Sequence, residues 1–329
     1  MIPNKILILS AKEVATCLDM ASAIEAMKGA FTQLSSHEAQ VPLRTQMPIP
    51  EARGTALFMP VYLPKNHHIG LKTVTVFENN PQKNLPLIHA MMQILDAETG
   101  KPLAIMDGEI LTAIRTGAAS GLATDFLALE DAHTVTIIGA GIQARTQLEA
   151  VCAVRPIKTA HVISRSTQNA QIFAKEMAKK LSIEVSVTDP ATALAASQVI
   201  CTATTSLTPV FEDAMITAGT HINGVGSYRS DMCEVPSETV KRARVFVDQK
   251  AGCCAEAGDL IQPITAGIIT KDHIIAELGE LLPGKKPGRL TPTDITFFKS
   301  VGNAVQDLAV ATLILEKAKT MGLGTTVAL

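Results

Sequence analysis

The residues with the clearest chemical meaning lie between His133 and Val151. A β-branched apolar run, Val135 to Ile138, passes directly into Gly139-Ala140-Gly141-Ile142-Gln143-Ala144 and then into residues at helical spacing. That order predicts strand, tight turn and helix. Gly139 permits the sharp turn, Gly141 lets a pyrophosphate approach the backbone, and small Ala144 lets the helix pack close to the strand. The N–H groups at the helix start, around Ile142 and Gln143, then face the anion. The chemistry implied is dinucleotide binding. In the usual fingerprint an acid about 20 residues further on takes the adenosine ribose hydroxyls of NAD. Here the end of the next apolar strand reads Ser164-Arg165-Ser166, with no acid. A guanidinium and two hydroxyls suit a 2′-phosphate, so the expected cofactor is NADPH, with NADH usable.

The rest of the chain must position this turn. At 329 residues it has room for two domains, and 47% apolar residues can bury substantial cores. A net charge of −2 without a basic window excludes nucleic acid and anionic membrane surfaces as expected partners. Charges such as Arg115 and Asp125 interrupt the apolar segments, and the apolar run near the N-terminus is too short for a signal peptide. The expectation is a soluble, cytoplasmic protein. Cys17, Cys152, Cys201, Cys233, Cys253 and Cys254 show no CxxC spacing and read as reduced thiols, and the histidines lack metal-ligand spacing, so no metal is expected.

Ser10-Ala-Lys-Glu13 is a capping box, followed by helices over about 11–18 and 20–35. From Val41 the period changes to alternation. Segments 41–49, 55–63, 68–77, 85–95 and 101–108 read as five strands, which predicts an α+β domain with an antiparallel sheet. A helix over Glu109–Asp131 follows, with Leu111, Ile114, Ala118, Leu122 and Phe126 on one face, bridging to the nucleotide domain. There the strands HVISRS, EVSVT, QVICTATTS, THINGVGSY and ARVFVDQ alternate with helices, among them Thr167 to Leu181. This predicts a doubly wound parallel sheet with ligands at the carboxyl ends of its strands. Residues 283–288 read as an exposed loop, and a last apolar helix runs from about Ser300 to Gly322, packing back across both domains. The fold class is α/β, a Rossmann-type domain plus an α+β domain.

The segments GLKTVTVFENNP, LTAIRTGAASGLAT, VTIIGAGIQA, HINGVGSY, EAGDL and FKSVGNAVQDLAVA together resemble the ornithine cyclodeaminase and mu-crystallin family, in that family's order and over nearly the whole chain. The resemblance implies a homodimer built through the N-terminal sheet domain, taken as 1–120 with 306–329, and a NAD(P)-binding domain over 121–305. It also implies a small imino or amino acid substrate. The family holds the substrate carboxylate with basic residues that match Arg44, Lys72 and Arg115. Their apolar surroundings agree, since a charged head there needs an anion and arginine can engage a carboxylate bidentately. The resemblance further places Thr116 near the cofactor phosphates or nicotinamide, Thr202, Ala203, Thr204 and Val225 along the nucleotide, and Ser300 near the nicotinamide amide. Asp307, on the last helix, is either catalytic or a partner of a base such as Arg115.

Cyclodeaminases of the family carry an aspartate after the strand that here reads HINGVGSYRSDM. The matching position is Tyr228, with Asp231 reachable by a shifted register. No acid lies between Glu51 and Glu78, and Glu78 is roughly 20 Å along an extended strand from Lys72. A substrate ammonium would therefore find few anionic partners. The expected activity is NADPH-dependent reduction of a cyclic ketimine acid, Δ1-pyrroline-2-carboxylate or Δ1-piperideine-2-carboxylate, to L-proline or L-pipecolate. Lys72, Asp307, Tyr228 or a bound water would supply the proton. The alternatives are a cyclodeaminase or alanine-type dehydrogenase on the same scaffold, and a non-catalytic protein that binds NADPH and a small ligand.

Overall fold

The structure is a computed structural model that describes residues 5–282 and 284–329. Pro283, at the head of the expected loop, lies outside the described residues, as does Met1–Asn4. The chain opens with strand β1 (Lys5–Leu9), helix α1 (Ala11–Cys17) and helix α2 (Met20–Ser35). Ser10 accepts from the Glu13 N–H while the Glu13 carboxylate accepts from Ser10, the capping box in full. Five strands follow: β2 (Thr45–Ile49), β3 (Gly54–Leu63), β4 (His68–Phe77), β5 (Ile88–Asp96) and β6 (Pro102–Asp107). Helix α3 (Gly108–Leu127) then leads into β7 (Thr134–Ile138), α4 (Ile142–Val154), β8 (Thr159–Ile163), α5 (Thr167–Leu181), β9 (Glu184–Val187), α6 (Pro190–Ala196), β10 (Val199–Thr202) and β11 (His221–Gly224). Next come α7 (Ser237–Arg242), β12 (Arg244–Val247), α8 (Lys250–Glu256), α9 (Gly258–Thr265), β13 (Ile274–Glu277), α10 (Leu278–Leu281), β14 (Thr296–Lys299), α11 (Ala304–Met321) and β15 (Thr325–Ala328).

The chain divides into two units, one comprising the residues up to Arg115 with Asn303–Leu329, the other Thr116–Gly302. The boundary falls inside α3. In the first unit the strand order is β15-β1-β6-β5-β4-β3-β2. The five expected strands, β2 to β6, pair antiparallel throughout; β1, which is not among them, adds to β6 in parallel. β1 and β15 pair ends of the chain more than 300 residues apart, Lys5 opposite Ala328, a non-local pairing that local alternation does not reveal. Helix α11 packs on α2 and on one face of β3, β4 and β5. Gly70 makes room for it, because a Cβ there would stand 2.6 Å from Met92 and 3.0 Å from Leu308.

The second unit is an eight-stranded parallel sheet in the order β13-β12-β14-β11-β10-β7-β8-β9. The chain reverses direction of winding between β7 and β10, the switch point at which such sheets bind ligands. β13 and β14 are strands of only four residues, β13 half-buried and β14 fully buried and ending on Lys299, and both are missing from the strands expected above. Two helix limits also differ. α3 stops at Leu127, and Phe126, expected on its buried face, is 37% exposed. α11 begins after Asn303, whose side chain caps it, so Ser300 lies in the turn before the helix. Among the described residues no helix is long and apolar enough to cross a membrane.

Candidate active site

Inside the first unit three expected residues meet. Lys72 is the inward-facing residue of β4, opposite Met59 of β3 and Met92 of β5, and is 2% exposed. Arg115 comes from α3, and Asp307 from the first turn of α11, where an acid also suits the helix dipole. Asp307 Oδ1 accepts from Lys72 Nζ at 2.8 Å and from Arg115 Nε at 2.9 Å. A further Arg115 nitrogen donates to Gln306 Oε1 at 2.7 Å. Asp307 Oδ2, also buried, has no hydrogen-bond partner.

Electrostatics follow from this crowding. Burial pulls Lys72 down to about 8; the charges of Arg115 and Arg44 act in the same direction and Asp307 opposes them. Burial alone would push the Asp307 carboxyl up, but Arg115 and Lys72 outweigh it and hold the carboxyl below its ordinary value. Arg44, half-buried just before β2, is thus within electrostatic reach of the pair. Two buried cations, Lys72 and Arg115, share the single carboxylate of Asp307, which leaves one positive charge in excess among these three side chains. Excess positive charge in a buried cluster favours an anionic partner. Glu78 is elsewhere, exposed and paired with Arg53 at 2.8 Å.

The glycine turn of the second unit has the geometry its spacing predicted. Gly139 has φ +121°, and a Cβ there would stand 2.5 Å from the Ala203 carbonyl oxygen, so only glycine fits between β7 and β10. Gly141 is the N-cap of α4 and provides no side-chain cap, which leaves the first N–H groups of a 13-residue helix to an outside acceptor. A Cβ added at Gly141 would meet nothing within 4 Å, and Ile142 beside it is 51% exposed. Buried Ala144 seats α4 on the sheet, and the Gln143 side-chain oxygen is buried without a partner. Gly117 of α3 lies so close to α4 that a Cβ would stand 2.5 Å from Thr146 O, while Gln147 donates to the Thr116 carbonyl at 3.3 Å. These residues fit a dinucleotide pyrophosphate.

At the end of β8 the three residues differ in freedom. Ser166 caps α5 through Asn169 N at 3.2 Å, and Ser164 Oγ accepts from Ser166 N at 3.3 Å. Arg165 is exposed and, among the described residues, has no ion-pair partner.

The ends of β10, β11 and β14 carry the remaining expected residues and a network that motif reading missed. The Thr202 hydroxyl and the Thr204 N–H both donate to buried Glu234, and the Ser300 hydroxyl donates to buried Asp248 at 2.7 Å. Val225 N donates to Thr202 O at 3.0 Å, joining the two strand ends. Buried Asp259, inside EAGDL, accepts from Lys299 Nζ at 2.9 Å and from Glu234 N at 2.6 Å. The signal for Asp259 was a carboxylate within an apolar stretch, which demands partners. Tyr228 stands 37% exposed on the loop after β11. Asp231, the residue a shifted register would offer instead, is engaged at the surface by Arg229 through two hydrogen bonds of 2.9 and 2.8 Å.

The model of the ornithine cyclodeaminase/mu-crystallin family matches residues 4–322. The chain belongs to this family. A Δ1-pyrroline-2-carboxylate reductase of Bacillus cereus is 38% identical over 320 residues, spanning 97% of this chain and 98% of the relative. Among solved structures, Δ1-pyrroline-2-carboxylate reductase of Thermococcus litoralis in complex with NADH and L-proline is 43% identical, covers 98% of this chain and 100% of its own, and superposes with a TM-score of 0.94. An archaeal alanine dehydrogenase dimer with bound NAD is 32% identical over 99% of both chains, with a TM-score of 0.93. As a member of the ornithine cyclodeaminase/mu-crystallin family, the chain has the expected α/β fold with a Rossmann-type sheet.

Proposed function

We propose that this protein is an NADPH-dependent reductase of a cyclic ketimine acid, converting Δ1-pyrroline-2-carboxylate or Δ1-piperideine-2-carboxylate to L-proline or L-pipecolate. The observation that carries this reading is the cation excess at Lys72 and Arg115, two buried cations that share the single carboxylate of Asp307. A substrate carboxylate completes that charge balance, whereas the net positive charge of Lys72, Arg115 and Asp307 together repels the side-chain ammonium of ornithine or lysine. Tyr228 in place of an acid points the same way.

Arg115 and Lys72 bind the carboxylate and fix which face of the imine carbon is presented. Asp307 orients both cations by accepting from each through one oxygen. Bound nicotinamide supplies the hydride. For the imine nitrogen the proton donor in this reading is Lys72, the buried group of the cluster whose proton leaves nearest neutrality, protonated below about pH 8. Gly139, Gly141, Ile142, Gln143 and Ala144 hold the pyrophosphate; Thr116, Thr202, Ala203, Thr204, Val225 and Ser300 line the nucleotide; Arg165, with Ser164 and Ser166, takes the 2′-phosphate. The sheet face of the first unit opposite α11 is apolar, with Ile8, Ile69 and Met91 each 36–45% exposed, and a second copy of the chain covers it in a homodimer.

The test is oxidation of NADPH and of NADH with each cyclic imine, with pyruvate plus ammonia, and L-ornithine supplied with the oxidised cofactor. Rapid NADPH oxidation with a cyclic imine and no ammonia release from ornithine is the expected result. Ornithine cyclisation, or turnover with pyruvate and ammonia alone, would overturn it, and cofactor binding without turnover on any substrate would make the chain a binding protein.

A further inference from the structure

Glu234 lies fully buried in the second unit and has no place in the chemistry above. Its carboxylate gathers four donors. Oε1 accepts from Thr204 N at 2.6 Å, while Oε2 accepts from the Thr202 hydroxyl at 2.9 Å, from Gly226 N at 2.7 Å and from Ser227 N at 3.2 Å. Thr202 ends β10 and Thr204 follows it, whereas Gly226 and Ser227 follow β11, so one side chain ties two strand ends together. The room it occupies is reserved for it: a Cβ on Gly226 would stand 2.4 Å from Glu234 Oε1 and 2.2 Å from the Thr204 carbonyl. Asp259 holds the backbone of Glu234 and Val235 in turn, and Lys299 anchors Asp259. Burial raises the Glu234 carboxyl above its ordinary range, with Lys299 opposing and Asp259 adding to the rise.

A doubly wound sheet binds a dinucleotide in two halves across the carboxyl ends of its strands. The glycine turn after β7 and Ser164–Ser166 after β8 belong to the pyrophosphate and adenosine half. The ends of β10 and β11 therefore serve the nicotinamide half. We propose that Glu234 is a positioning residue that holds the loops carrying Thr204, Val225 and Tyr228 in the arrangement that receives the nicotinamide. This inference rests on the chain binding a dinucleotide.

The experiment measures dissociation constants of the full-length protein for NADPH and for 2′-phospho-ADP-ribose, which lacks the nicotinamide. In Glu234→Gln the side chain keeps its shape, but whichever way the amide is turned its NH2 meets a backbone N–H. NADPH binding is expected to weaken about tenfold or more, with 2′-phospho-ADP-ribose binding unchanged within about twofold. Thr202→Val removes one donor and leaves the carboxylate charge, so a smaller, about threefold, nicotinamide-specific loss is expected. Should Glu234→Gln fail to fold, Gly226→Ala decides, because its Cβ would stand 2.4 Å from Glu234 Oε1 and Gly226 is not placed on the nucleotide; the same nicotinamide-specific loss is expected. Unchanged NADPH binding, or a parallel loss of both ligands, overturns the proposal. Wild-type protein that binds neither NADPH nor NADH overturns the dinucleotide reading, and this inference with it.

Discussion

The molecule holds two buried charge clusters of opposite character. In the first unit Lys72 and Arg115, with Arg44 at the margin, outnumber Asp307, and one Asp307 oxygen has no partner. In the second unit Glu234 and Asp259 outnumber Lys299, yet hydroxyl and backbone N–H donors, with the Lys299 ammonium on Asp259 Oδ2, reach all their oxygens. Burying charge is costly in both places, and in the second the protein's own donors reach every carboxylate oxygen, whereas in the first Asp307 Oδ2 has none. A saturated network fixes loops. A cluster with excess charge and an unmatched oxygen is built for a ligand that the chain does not supply.

The sharpest way to break this comparison is to remove a cation from each cluster. Lys72→Met and Arg115→Ala are expected to cut kcat/KM for the cyclic imine by about a thousandfold, through loss of the anchor and, for Lys72, of the proton donor. The fold should tolerate Lys72→Met, with a stability change of about 1 kcal/mol in urea denaturation, because the substitution relieves a positive excess. Lys299→Met is the counterpart. It leaves Asp259 and Glu234 buried without a cation, so a loss of about 3–5 kcal/mol is expected. Equal destabilisation by Lys72→Met and Lys299→Met would show that the two clusters do the same job.

Much of this contrast was visible in the amino-acid order, but unevenly. Lys72, Arg115 and Asp307 stood out because a charge inside an apolar segment must find a partner, although spacing did not say that one Asp307 oxygen serves both bases. The glycine turn was legible because Gly139 answers a backbone demand that no other residue meets. Glu234 was not legible. Its four donors come from two loops and a strand end, three of them backbone N–H groups, and backbone N–H groups leave no trace in composition or spacing. β1 with β15, and the short strands β13 and β14, were hidden for a related reason: their stability comes from non-local pairing rather than from local periodicity.

The pH response sharpens the role of Lys72. Its folded value of about 8 lies below the ordinary 10.5, chiefly through burial. Below about pH 8 the side chain is charged in both the folded and unfolded states; between about 8 and 10.5 it is charged only when unfolded. The unfolded chain then binds more protons, so this group makes stability rise with pH across that window. Activity moves the other way, as the anchor and donor lose their proton: kcat/KM for reduction is expected to fall about tenfold per pH unit above that midpoint. Lys72→Arg does not titrate in this range, so both trends should vanish in that variant. An alkaline limb that survives in Lys72→Arg would assign the titration to another group.

The smallest effect concerns Arg165, an expected cofactor residue that neither cluster engages. Ser166 is committed as the cap of α5, whereas the Arg165 guanidinium is exposed at the end of β8. A solvated arginine gives up little to meet a 2′-phosphate, which it can grip bidentately. Arg165→Ala is expected to raise KM for NADPH by about tenfold while leaving KM for NADH and kcat with either cofactor within about twofold, because the lost contact is made equally in ground and transition states. The Thermococcus litoralis relative was solved with NADH, so the comparison of cofactors in wild-type protein is itself decisive. A wild-type preference for NADH, or an equal change for both cofactors in Arg165→Ala, would return Arg165 to an ordinary surface residue and leave the glycine turn and Glu234 as the features that hold the nucleotide.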